Sequence, residues 1–125
     1  MTRVVVLGGS GMLGSAVVSW LAADPSLEVH ASARGSLSAA LAERVPGARW
    51  FSFDAERDPC EALPAASWIV NAIGIIKHHM VDPGAALLAR AIEVNALFPH
   101  RLAAWAGASG ARVVQIATDC VFEGA

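Results

Sequence analysis

The chain has 125 residues, 55% of them hydrophobic and 16% charged, with nine basic and eleven acidic side chains and a formal net charge of −2. That is room for one domain with a real core, and so apolar a composition excludes disorder. The charge balance excludes a protein whose main partner is nucleic acid or an anionic membrane, since both need a concentrated positive field.

Val4 to Leu7 is a short apolar run ending in glycines, the pattern of a strand covered on both faces. Met12, Leu13, Val17, Trp20 and Leu21 form an apolar stripe that predicts a helix over 12–23, closed by Asp24-Pro25. Glu28 to Ala33 reads as a second strand, Leu37 to Arg44 as an alanine-rich helix, and Arg49 to Phe53 as a third strand. Glu56 to Leu63 is weakly helical, broken by Pro59 and Pro64, and Trp68 to Ile73 gives a fourth strand. Asp82-Pro83 reads as a helix cap followed by a first-turn proline. From there a helical pattern runs to about Ala106, with a kink or restart at Pro99, and Arg112 to Ala117 is a fifth strand. Strand and helix alternating at this spacing predict an α/β fold: a doubly wound parallel sheet in the order 3-2-1-4-5, in three layers. Trp20, Trp50, Trp68 and Trp105 are read as burial positions on these elements.

Gly8-Gly9-Ser10-Gly11-Met12-Leu13-Gly14 falls between the first strand and the first helix, with Gly8, Gly11 and Gly14 at GxxGxxG spacing. A pyrophosphate needs a tight turn, a bare backbone to approach and a helix N-terminus offering free N–H groups. In a Rossmann fold an acid about 20 residues past the glycines holds the ribose hydroxyls of NAD. Here that stretch is His30-Ala31-Ser32-Ala33-Arg34-Gly35, with no acid. The fork of Arg34 suits a 2′-phosphate, so NADP is favoured, with NAD the alternative.

Several segments together resemble the extended short-chain dehydrogenase/reductases, and most closely the dTDP-4-dehydrorhamnose reductase (RmlD-like) branch. They are GGSGMLGS at the first turn, Asp54, Val70-Asn71-Ala72-Ile73-Gly74, Val94-Asn95-Ala96 and Ala117-Thr118-Asp119-Cys120-Val121-Phe122-Glu123-Gly124. The resemblance implies that Gly8, Gly11 and Gly14 hold the pyrophosphate, with Ser10, Met12 and Leu13 lining the same turn. Asp54 and Ala55 would lie against the adenine, Ala72, Ile73 and Gly74 would flank the ribose, and Asn95 would anchor the neighbouring helix by hydrogen bonds. Thr118 matches the catalytic Ser/Thr that polarises the sugar carbonyl, while Asp119, Val121 and Phe122 would lie beside the nicotinamide or the sugar. Cys120 stands where relatives often carry an aromatic residue. The implied reaction is hydride transfer to a 4-keto sugar nucleotide, in polysaccharide or antibiotic sugar synthesis. Gly8, Asn71 and Thr118 fall just past strand ends, where doubly wound sheets bind ligands.

The family's proton donor is a tyrosine with a lysine four residues later. This chain has no tyrosine, and its only lysine, Lys77, comes too early. The expectation is therefore a cofactor domain over residues 1–125 of a longer reductase, binding dinucleotide but reducing nothing alone. Two alternatives are a nucleotide-sugar epimerase or dehydratase, and a non-catalytic dinucleotide-binding regulatory subunit.

The remaining features read as structural. His78-His79 cannot share a face to chelate a metal, so no metal is expected. His100 reads as exposed, Asp58 and Glu61 as a solvated turn, and Cys60 as a thiol without a cationic neighbour. Two cysteines, no long apolar run and no signal-peptide pattern fit a cytoplasmic protein. Surplus apolar surface between Leu87 and Trp105, with an unpaired fifth strand, would favour a homodimer.

Overall fold

The computed structural model describes residues 1–37, 39–75 and 84–117. Five strands form one parallel sheet: β1 (Thr2–Leu7), β2 (Leu27–Ala33), β3 (Ala48–Ser52), β4 (Trp68–Asn71) and β5 (Arg112–Gln115). Their order is β3-β2-β1-β4-β5, as the sequence predicts. Val4 lies opposite both Val29 and Trp68, and Val6 opposite both Ala31 and Val70, so the middle of β1 is flanked on both sides.

The strand period of two divides β1 between two cores. Val4 and Val6 join Val18, Val29, Ala31 and Val45 on the side of α1 (Met12–Ala22) and α2 (Ala39–Arg44). Val5 and Leu7 join Phe53, Ile69, Phe98 and Leu102 under α4 (Phe98–Ser109). Phe53 and Phe98 meet there with ring centroids 5.8 Å apart. Burial on both faces explains why β1 reads as an unbroken apolar run.

Helix α1 buries a narrower stripe than the sequence suggests. Gly14 and Val18 face the sheet, whereas Met12 is 93% exposed and Trp20 79% exposed. Two positions from Val18 is a turn of about 200°, which points Trp20 away from the core. Trp68, also expected inside, is 37% exposed and lies under the Arg112 guanidinium, 5.3 Å from its ring centroid. Trp50 and Trp105 do pack against the two cores.

Between β3 and β4 the expected helical stretch shrinks to one 3-10 turn, Cys60–Ala62, because Pro59 and Pro64 bracket it. Cys60 is buried there, and burial, then the charge of Glu61, push its thiol pKa up. Arg101 supplies the opposing cationic influence that the sequence reading lacks, but desolvation outweighs it.

After β4 the expected cap at Asp82-Pro83 lies outside the described residues. The described helix opens with Gly84 as its cap and runs as α3 (Ala85–Ile92), a π turn (Glu93–Leu97) and α4, without a break at Pro99. The Phe98 N–H donates to the Glu93 carbonyl, five residues back. Pro99 has no N–H to give the carbonyl of Asn95, so proline widens the helix here instead of ending it. Among the described residues no helix is long and apolar enough to cross a membrane.

Candidate functional site

The carboxyl ends of β1 to β4 open into a cavity of about 400 Å³, at the point where strand order reverses. Its floor is the glycine turn, with Gly8, Ser10 and Gly11 at the surface. Gly8 has φ +76°, and a Cβ there would stand 3.0 Å from the Ala72 carbonyl carbon. A Cβ on Gly14 would run into the Gly8 carbonyl oxygen. Only glycine lets α1 sit this close to β1 and leaves the main chain bare. Gly11 caps α1 without a side-chain hydrogen bond, and the first helical turn holds no acidic residue. The positive end of the helix therefore faces the cavity without a carboxylate of its own, which suits an anion.

Ser32, at the end of β2, fixes this turn and is the residue that sequence reasoning passes over. It is 1% exposed; its Oγ accepts from the Gly8 N–H at 3.0 Å, and its carbonyl accepts from the Gly9 N–H at 2.8 Å. A lone hydroxyl in an otherwise apolar stretch, His30 aside, is the signal that could have marked it. Arg34 follows two residues later, exposed at the rim.

Asp54 and Ala55 line the far wall. Asp54 Oδ1 accepts from the Glu56 N–H at 2.9 Å, and Asp58 Oδ2 accepts from the Asp54 N–H at 2.7 Å, so Asp58 closes a turn. Ala72, Ile73 and Gly74 line the near wall after β4. Asn71 is the last residue of β4 and wholly buried; Nδ2 donates to Gln115 Oε1 at 2.8 Å, and Oδ1 accepts from the Ile73 N–H at 3.2 Å. It positions the wall and does not face the cavity.

Asn95 sits in the π turn and bonds to the segment after β4. Its Oδ1 accepts from the Ile75 N–H and its Nδ2 donates to the Ile75 carbonyl, each at 2.8 Å. Met12, Leu13 and Gly14 do not line the cavity: the first two project outward, and Gly14 is buried beneath Gly8. Leu87, Arg90 and Val94 do line it, and the sequence reading assigns them no role. Thr118, Asp119, Val121 and Phe122, like Lys77 and His78-His79, lie outside the described residues. Among the described residues no three His, Cys, Asp or Glu side chains converge on a metal position.

The profile of the family described as RmlD substrate binding domain matches residues 1–125. The chain belongs to that family. Solved structures share its fold at low identity. A mutant of UDP-glucuronic acid 4-epimerase from Bacillus cereus, in complex with UDP-4-deoxy-4-fluoro-glucuronic acid and NAD, superposes with a TM-score of 0.72 at 15% identity. That match covers 93% of this RmlD-family chain and 40% of the epimerase. A short-chain dehydrogenase/reductase from Saccharomyces cerevisiae gives 0.75 at 16%, covering 99% of this chain and 56% of its own. Serine dehydrogenase from Escherichia coli gives 0.71 at 14%, over 90% and 60%. The RmlD-family chain thus spans less than two thirds of each of these neighbours.

Proposed function

We propose that this chain binds a nicotinamide dinucleotide across the carboxyl ends of its strands, as the cofactor part of a nucleotide-sugar reductase. The observation that carries the reading is the glycine turn: a bare backbone with Gly8 at positive φ under a helix N-terminus, with Cβ atoms sterically excluded at Gly8 and Gly14. The residues present fit the cofactor. Peptide groups of Gly8, Ser10 and Gly11 take the pyrophosphate, Asp54 and Ala55 bound the adenine, and Ala72 to Gly74 flank the ribose. That ligands of this kind occur on this fold is supported by the epimerase solved with NAD and a UDP-sugar.

Arg34 favours NADP, since a guanidinium fork matches phosphate oxygens and no acid stands at the end of β2 to claim the ribose hydroxyls. The bound nicotinamide would supply the hydride; the chain supplies position and field. Thr118 would donate its hydroxyl to the sugar carbonyl, where negative charge develops, with Asp119, Val121 and Phe122 shaping the sugar side. Residues 1–125 contain no tyrosine that could serve as the proton donor the family resemblance implies. General acid catalysis is worth on the order of 10²–10⁴-fold, so these residues alone would bind without turning over.

Calorimetry with NADPH and NADH tests this. Saturable binding of NADPH, weakened for NADPH more than for NADH in Arg34→Ala, is expected. No heat with either coenzyme on folded protein would overturn the reading; equal affinities unaffected by Arg34→Ala would remove NADP from it.

A further inference from the structure

A second concavity, of about 510 Å³, opens beside the first and shares Arg34, Asp54, Glu56 and Arg90 with it. Arg57 and Gly35 complete its wall, which holds three guanidinium groups against two carboxylates. Both carboxylates are already engaged. Glu56 Oε1 accepts from Arg90 Nε at 2.6 Å, joining the turn after β3 to α3, and Asp54 Oδ1 accepts from the Glu56 N–H. Among the described residues Arg34 and Arg57 form no ion pair.

We propose that this concavity is a phosphate-monoester subsite of the dinucleotide cleft, with Arg57 a second specificity-determining residue beside Arg34. Arg90 is a positioning residue that keeps the Glu56 carboxylate occupied. The inference rests on the dinucleotide reading above and extends it. A phosphate monoester carries close to two negative charges near neutral pH and three acceptor oxygens. One guanidinium forks onto two oxygens and leaves the third, and much of the charge, uncompensated. Arg34 comes from the end of β2 and Arg57 from the turn after β3, so the two reach a group between them from different elements. Asp54 and Glu56 set the limit of the field: with Glu56 released from Arg90, two carboxylates would oppose the phosphate.

The test measures the affinity ratio between adenosine 2′,5′-bisphosphate and AMP, which isolates the 2′-phosphate, with inorganic phosphate as a third probe. The native chain is expected to prefer the bisphosphate, and Arg57→Ala to cut the ratio about tenfold, the loss of one charge-assisted contact. Arg57→Lys should retain part of the preference. Arg90→Ala should also lower the ratio, and adding Glu56→Gln to it should restore most of the loss. Circular dichroism of each variant checks that the fold is kept. A ratio lowered by Arg34→Ala but untouched by Arg57→Ala would overturn this inference and leave the cofactor reading standing. Failure of Glu56→Gln to restore the Arg90→Ala variant would overturn the positioning role. Saturable binding of inorganic phosphate alone, without preference for the bisphosphate, would overturn the assignment to the dinucleotide. A chain binding neither nucleotide would instead sink the cofactor reading first.

Discussion

Asn95 and Ile75 stand twenty residues apart in sequence and are joined by two hydrogen bonds of 2.8 Å, one from the Ile75 N–H to Asn95 Oδ1 and one from the Asn95 NH₂ to the Ile75 carbonyl. The pair ties the π turn to the segment that leaves β4, so the near wall of the cavity and the helix over it are set together. Asn95→Ala removes both bonds and is expected to lower stability by about 1–2 kcal/mol in denaturant titrations. Asn95→Asp keeps the acceptor for the Ile75 N–H but turns a charged oxygen toward the Ile75 carbonyl. It should be no more stable than the alanine variant, and its deficit should shrink when acid protonates the new carboxyl.

The glycines of the turn are not equivalent. A methyl at Gly14 meets the main chain of Gly8 and Gly9, which cannot swing aside, whereas one at Gly11 meets only the Gly8 carbonyl at 3.4 Å. Gly14→Ala should therefore lower the melting temperature sharply, by an amount equivalent to about 2 kcal/mol or more, and Gly11→Ala by much less. Thermal melts of the two variants side by side would show it. Equal losses would mean that α1 shifts freely over β1.

Burial sets a second contrast, between two large side chains. Phe98 is fully buried against Phe53, while Trp20 projects from α1. Phe98→Ala should cost about 3–5 kcal/mol, and Trp20→Ala should stay within about 0.5 kcal/mol of the parent. Urea midpoints at constant slope provide the comparison.

Acid should weaken the fold through Glu28. On the same sheet face, its carboxylate meets His30 Nε2 at 2.9 Å and Arg3 at 3.2 Å, with Arg49 at 3.8 Å. The His30 hydrogen bond, then Arg3, hold its pKa below the ordinary value against the opposing effect of desolvation. A carboxyl depressed in the folded state binds fewer protons than in the unfolded chain. Its contribution is thus present above the usual glutamate pKa, about 4.3, and is lost as pH falls below it. Glu28→Gln should flatten the acid limb of a stability–pH profile and leave that limb's other carboxylates in place. An unchanged limb would show that the cluster is energetically silent.

The sheet order was legible because five short strand segments alternate with connections long enough for parallel crossovers, a pattern with few alternative foldings. The tight turn at the glycines was legible because its chemistry is local. What stayed hidden depends on rotation and on partners distant in sequence. Trp20 and Met12 look apolar wherever they stand, and only the seating of α1 on Gly14 and Val18 sends them outward. Ser32 reveals its place only once β2 lies beside β1. Arg90 and Glu56 are 34 residues apart, so no periodicity connects them.

The π turn at Glu93–Leu97 fits five residues into a loop of helix that an α-helix closes with four. Deleting one alanine upstream in α3 would rotate everything before the widened segment by about 100° relative to α4. An α-helical repair that removed the bulge itself would swing the asparagine off its anchor. Length polymorphism is therefore tolerable in the exposed connections of this protein but not along this rod, where a single codon gained or lost would re-aim one whole side of the cleft.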